Sequence, residues 1–266
     1  MSENLDRWES VRAIMTIAVL LKQVPDTTSK ISFGGASVDL DSVTKWSISP
    51  YDEYALESAL RLKAEGLGDI VAITCGPERS SKILTDAAAV GVDSLVHIHI
   101  EDLIYDSRNV QKLLSSAIKN LNCQVILCGK QAADTNSGST GPGISSIMGI
   151  TCVSLVSEIV VDGENLIAKR SGPNGQEKIR VSKPCLFTFD KGIEELRRPN
   201  VRGIMMAKKK EVETLTPSDL NVELFESTVK FDSQVSPPEK PPGQKFEGAE
   251  SVTSVVQKLR EEANVI

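Results

Sequence analysis

The chain has 266 residues, of which 40% are hydrophobic and 25% charged, with a formal net charge of -6 and a pI near 5.2. This suffices for one large or two modest domains with a real core. The acidic balance excludes a general binder of nucleic acid or anionic membrane, which needs a basic surface to displace counterions.

Residues 1–14 carry several acids and no long apolar region, so a cleaved secretory signal is not expected. They read as an N-terminal extension, with Met15 as a second candidate start. No run approaches the roughly 18 apolar residues of a spanning helix, so no direct membrane insertion is expected. The five cysteines include no C-x-x-C pair, and a reduced intracellular chain is the simplest reading.

Thr16 to Leu21 is a short buried-type strand leaving the sheet at Lys22 to Asp26, and Gly34-Gly35 with Val38 and Leu40 suggests a hairpin. Ser49-Pro50 opens a helix as N-cap and first position, with Asp52 and Glu53 favouring its positive end. Ile70 to Cys75 is a second strand, Ser80 to Val90 a helix, Leu95 to Ile100 a third strand, Val110 to Ile118 part of a helix, and Val125 to Cys128 a fourth strand. Strands alternating with helices predict a Rossmann-like α/β fold with a parallel sheet. Four strand-like stretches within residues 151–190 read as additions to the same sheet. His97 and His99 share one face of the third strand and offer too few ligands for a metal site. Beyond Pro217 the patterns thin out; residues 237–243 form a polyproline-like linker, and residues 251–263 form an amphipathic helix. Residues 217–266 are thus read as an arm ending in a helix.

In an open parallel sheet the ligand crevice lies at the carboxyl ends of the strands, where connections diverge. The longest exit runs from Gly129 to Gly143, and its small and hydroxyl residues precede a helix from Gly141 to Met148. Free N–H groups and hydroxyls at a helix start suit a phosphate; an ordinary capped turn is the plain alternative. The lysine-bearing P-loop, the G-x-G-x-x-G fingerprint and the nucleophile elbow are all missing, and no catalytic set can be assembled. Residues 196–210 form a basic loop in which the apolar Val201 lies between arginines.

LLKQVPD at strand one, SPYDEYALESALRLKAEG, TCGP, GKQAADTNSGSTG and IMMAKKK followed by TP-D resemble, in order and spacing, the electron-transfer flavoprotein beta-subunit family from about Thr16 onward. The resemblance implies an adenine-nucleotide-binding domain of the alpha-hydrolase-like type over residues 15–216, with the arm docking on an alpha subunit. It implies an electron carrier in a heterodimer: an FAD held mainly by alpha, a donor of the acyl-CoA dehydrogenase type, and a cytoplasmic setting in bacteria or archaea, or a mitochondrial matrix. A buried AMP, or a second FAD in bifurcating members, would contact Leu20, Lys22, Ser49, Pro50, Tyr51, Asp52, Cys75, Gly129, Lys130, Gln131, Ala132, Asp134, Asn136 and Ser137. Gly138, Ser139 and Thr140 would lie at the phosphate, and Pro25, Asp26 and Thr27 nearest the partner's flavin. A recognition loop over 193–206 would present Arg197, Arg198, Val201, Arg202, Ile204 and Met205, with Val201 as the anchor in the donor. AMP and second FAD both stay open: Asp134-Thr135-Asn136 lacks the Gly-Asp pair of bifurcating members, whereas Gly141-Pro142 matches them. An adenine-nucleotide hydrolase or ligase of the same fold is the other alternative, although residues 22–26 lack the glycine and serine its phosphate loop needs. A nucleotide-sensing stress protein would share the sheet but not the arm.

Overall fold

The computed structural model describes residues 15–35, 37–101, 106–192, 195–229, 232–238 and 242–266. The extension 1–14, residues 193 and 194 of the expected recognition loop and linker residues 239–241 lie outside them. The described residues form two compact units: those within 15–32 and 39–232, and those within 33–38 and 233–266.

In chain order the strands are β1 (Thr16–Leu20), β2 (Gln23–Pro25), β3 (Phe33–Gly34), β4 (Ser37–Val38), β5 (Trp46–Ile48), β6 (Asp69–Gly76), β7 (Ser94–His99), β8 (Val125–Gly129), β9 (Thr151–Asp162), β10 (Asn165–Gly172), β11 (Gly175–Ser182), β12 (Cys185–Phe189) and β13 (Glu213–Leu215). The helices are α1 (Pro50–Ala64), α2 (Lys82–Ala89), α3 (Ser107–Asn120), α4 (Thr140–Met148), α5 (Val201–Ala207) and α6 (Val252–Glu261).

The large unit is built on a nine-stranded sheet in the order β11-β10-β9-β12-β8-β1-β6-β7-β13. Its pairs from β9 to β13 are parallel, and β10 and β11 extend it as an antiparallel meander. This is the expected Rossmann-like α/β architecture. Central strands read as continuous apolar runs because both faces are covered: Ile17, Ala18 and Val19 have no exposure at all. Leu56, Leu60 and Leu84 from α1 and α2 pack with Ile17 and Val19 on one face. Leu113, Ile118 and Ile144 from α3 and α4 pack with Ala18 and Leu20 on the other. From β1 the chain steps outward to β6 and β7, then returns to place β8 on the opposite side of β1. The reversal between β1 and β8 is the switch point that positions a crevice.

Three features depart from the sequence expectations. The basic segment is not a loop throughout, because Asn200 caps α5 by accepting from the Gly203 N–H at 2.8 Å. A short strand, β13, pairs with β7 where none was expected. The large unit also runs on to Asp232 instead of ending at 216: Leu220 is buried beside α3 residues, and Asp106, the N-cap of α3, accepts from the Thr228 N–H at 3.0 Å. In the smaller unit β3 pairs with β4, and the Val38 N–H donates to Gln234 Oε1 at 2.8 Å. Val252, Val256 and Leu259 on α6 are exposed.

If residues 217–232 belong to the core, Leu220→Ala lowers unfolding free energy by about 2–4 kcal/mol through lost burial and a residual cavity. Asp106→Ala costs about 1–2 kcal/mol through the lost cap. Urea denaturation of the full chain measures both; a near-neutral Leu220→Ala would return the segment to the arm.

Candidate functional site

The crevice is organised by the first turn of α1. Asp52, only 6% exposed, accepts the Lys22 N–H at Oδ2 (2.8 Å) and the Gly129 N–H at Oδ1 (2.7 Å), so one carboxylate ties the exit of β1 to the exit of β8. Burial pushes this carboxyl up from 3.8 to about 7, against the pull of the two backbone N–H groups and the Lys22 charge. Gly129 has to be glycine: a Cβ would stand 2.5 Å from Asp52 Oδ1 and 2.7 Å from Tyr51 Cβ. Ser49, the helix N-cap, makes no side-chain bond to its own helix. Its hydroxyl instead accepts the Ala133 N–H at 3.3 Å, holding the long exit loop to the same turn.

Across the crevice, Lys22 Nζ pairs with Asp134 at 2.7 Å. Lys130 is engaged by Asp190 at 2.8 Å, with its ammonium 4.7 Å from the Tyr51 ring centre. Within the loop, Gln131 donates to Asn136 Oδ1 at 2.9 Å, and Asn136 and Gly138 take the left-handed conformation at φ 51° and 65°. The loop delivers Ser139 to the start of α4. Its carbonyl accepts from Gln111 at 3.0 Å, but its hydroxyl is buried with no hydrogen-bond partner and does not cap the helix. An orphaned buried hydroxyl beside first-turn N–H groups fits a ligand oxygen. Gly141 allows α4 to seat this closely, since a Cβ there would come within 2.4 Å of Thr188 Cγ2.

The other expected contacts distribute unevenly. Cys75 lies half-buried at the exit of β6, and burial pushes its thiol up to about 12, so it acts as a neutral wall and not a nucleophile. The Leu20 side chain is packed in the core, leaving only its main chain to approach a ligand. Pro25 is paired in the β2/β5 ribbon, Thr27 is exposed, and Asp26 is held down to about 2, chiefly by the Thr28 hydroxyl and N–H and also by Lys45. Arg79 went unnoticed in the sequence; its guanidinium stacks 4.1 Å from the Trp46 ring centre, and its carbonyl accepts from Gln23 at 2.7 Å. Burial lowers its pKa, with nearby Asp134 acting in the opposite direction.

Of the six basic-segment residues, Arg197 is tied back to the domain although its side chain stays 41% exposed. It forms a bidentate pair with the buried Glu57, both distances 2.8 Å, and burial of that carboxylate is outweighed by the arginine, so its pKa falls. Arg197 therefore clamps the segment to α1 while part of its side chain still faces solvent. Arg198, Val201, Arg202, Ile204 and Met205 remain exposed, Val201 at 76%. α5 sits tightly on α2, because a Cβ on Gly203 would lie 2.3 Å from the Ala89 carbonyl oxygen.

A doubly covered, mostly parallel sheet with its crevice at the β1/β8 reversal defines a Rossmann-like α/β protein. The electron transfer flavoprotein domain family matches residues 39–220. The electron transfer flavoprotein subunit beta of Bacillus subtilis (strain 168) is 36% identical over 258 residues, covering 95% of this chain and all of that protein. Its counterpart from Thermoanaerobacterium thermosaccharolyticum is 33% identical, covering 92% of this chain and 98% of the relative. The human subunit beta is 29% identical, covering 95% of each chain. The chain belongs to the electron transfer flavoprotein beta-subunit family. Among the described residues, no helix is long and apolar enough to cross a membrane.

The Asp52 contacts define a pH test. A folded-state pKa of about 7 against 3.8 means that between these values the folded chain binds more protons than the unfolded one, so Asp52's contribution to stability falls as pH rises through that window. The full shift corresponds to roughly 4 kcal/mol. Asp52→Asn removes this titration, so the stability difference, wild type minus variant, should decrease from pH 4 to pH 7 and level off above pH 8. A difference that rises over that range, measured by urea denaturation at each pH, would mean that Asp52 is ionised throughout.

Proposed function

We propose that the chain is the beta subunit of a heterodimeric electron-transfer flavoprotein. It holds an adenine nucleotide in the β1/β8 crevice and, with an alpha subunit, seats the FAD through which electrons pass from an acyl-CoA dehydrogenase-type donor to a downstream acceptor in the cytoplasm. The carrying observation is the partnerless buried Ser139 hydroxyl at the start of α4, placed on the same crevice as the strand exits that Asp52 ties together.

Bound flavin supplies the capacity to accept and release electrons one or two at a time; the chain's residues supply position. Ser139 and Thr140 would donate to the nucleotide phosphate, with Gly138 allowing close approach, and the helix start would favour its charge. The Lys22–Asp134 pair would flank the nucleotide, and Pro25, Asp26 and Thr27 would face the partner's flavin. AMP is the favoured occupant because Asp134-Thr135-Asn136 lacks the Gly-Asp pair expected of bifurcating relatives; a second FAD is the alternative. The exposed apolar residues of α5 would dock on the donor, with Arg198 and Arg202 steering an acidic rim, and α6 would lay Val252, Val256 and Leu259 on the alpha subunit.

Co-expression with an alpha subunit should give a yellow complex containing one FAD and one AMP; two FAD per heterodimer would select the bifurcating alternative, and a colourless chain that ignores alpha would refute the assignment. Ser139→Ala removes a hydroxyl with no protein partner, so the nucleotide should bind roughly 10-fold or more weaker through the lost donor while the urea midpoint of the nucleotide-free chain holds. Nucleotide retained at full occupancy during dialysis would contradict the site. Val201→Ala should slow reduction by the donor dehydrogenase without changing nucleotide content, as followed by flavin bleaching.

A further inference from the structure

We propose that Glu78, His97 and His99 form a site for a divalent transition metal, with Zn2+ as the reference occupant, at the carboxyl ends of β6 and β7. This site lies outside the β1/β8 crevice and does not rest on the function proposed above. His97 and His99 are two residues apart on β7, which turns both imidazoles to one face of the sheet. The third donor comes from the neighbouring strand: β6 ends at Gly76, and Glu78 follows in the short 3-10 turn leading into α2. One nitrogen of each imidazole and one Glu78 oxygen all lie within 4.8 Å of one another. Donors bound tetrahedrally at about 2.0–2.2 Å from one ion stand about 3.3–3.6 Å apart, so small side-chain rotations would close the set around a metal.

The hydrogen bonding also prepares the ligands. His97 is 1% exposed, and its Nε2 lies 2.9 Å from the Gly76 carbonyl oxygen. A carbonyl only accepts, so Nε2 carries the proton and Nδ1 keeps the lone pair a metal needs; a backbone carbonyl on the far nitrogen is the usual support of a ligating histidine. His99 Nδ1 is buried with no hydrogen-bond partner. The nearest carboxylate oxygen, Glu78 Oε2, is 3.8 Å away, too far for a hydrogen bond but suitably placed to share an ion. The Glu78 side chain is 84% exposed, which supplies an entry path and leaves a coordination position for water. Two imidazoles and one carboxylate select a first-row transition ion over Mg2+ or Ca2+, which prefer all-oxygen sets. Binding there would clip the Gly76–Glu78 turn to β7, immediately beyond Cys75.

The test uses the untagged full-length chain stripped with a chelator, titrated calorimetrically with Zn2+ alone and then with Mg2+ alone. One equivalent of Zn2+ is expected, with no response to Mg2+. His99→Gln and Glu78→Gln, both at partly exposed side chains, should each weaken Zn2+ binding about 10–100-fold with urea midpoints unchanged. Co2+ should give the visible absorption of nitrogen and oxygen ligation. Failure to take up Zn2+, unchanged affinity in either variant, or a thiolate-to-Co2+ charge-transfer band that assigns the metal to cysteine would each overturn the site.

Discussion

Asp52 joins segments that lie 30 and 77 residues away from it in sequence, through two hydrogen bonds of 2.8 and 2.7 Å. Each of those N–H groups lies at a central strand's exit, one residue from a main-chain donor still in the sheet: the Leu21 N–H bonds the Ile73 carbonyl and the Lys130 N–H the Phe189 carbonyl, whereas Lys22 and Gly129 turn to Asp52. Without the carboxylate, both would be left partly buried and unpaired, at about 1–3 kcal/mol each. With it, β1 and β8 are held at a fixed separation where the winding of the sheet reverses. Burial disfavours the charge on Asp52 while the N–H groups favour it, and that balance sets the pKa near 7. Ser49 extends the same turn's hold to Ala133. The crevice is therefore pre-formed, which reduces the ordering a ligand must impose.

The charges around this anchor are already matched. Lys22 faces Asp134, Lys130 faces Asp190, and Arg79 lies on Trp46. An anion entering the crevice would meet oriented N–H groups and hydroxyls more than an unpaired lysine, which accords with an acidic chain lacking the P-loop lysine. The Lys22–Asp134 pair is solvent-accessible on both sides, so it contributes little to stability. It can open at small energetic expense, and its lysine can swing toward a phosphate.

The sheet was legible because its central strands are buried on both faces: in TIAVL, IVAITC and VILC the only polar side chains are the strand-favouring Thr16 and Thr74, and none is charged. The start of α1 was legible from Ser49-Pro50, and the long exit loop from its glycines and hydroxyls. What those residues do was less so. Asp52 looked like a dipole partner at the first turn, and Ser49 like a cap for its own helix; both instead serve strand exits distant in sequence, and such pairings leave no local pattern. Arg197 and Glu57, 140 residues apart, were invisible as a pair for the same reason. The three-residue β13 is too short to show a periodicity; it pairs along the edge of β7 and packs Leu215 against the core. In the histidine pair, alternation along β7 was plain, but the carboxylate opposite comes from another strand's exit.

α5 shows how tertiary contacts impose a helix on a sequence that does not announce one. Val201 to Ala207 contains a glycine and spans only about two turns, too short to persist alone. It is held by Asn200 at its start, by the approach of Gly203 to the last turn of α2, and by burial of Ala207. Just ahead of it, Arg197 is pinned to Glu57 of α1. With both ends fixed, Val201 and Met205 stand one turn apart on the same exposed side, and their presentation requires no ordering of a loop. A contact made by such a rigid pair loses less conformational entropy than one made by a flexible basic segment. The clamp at Arg197 and the glycine at 203 thus matter to docking as much as the apolar side chains they display.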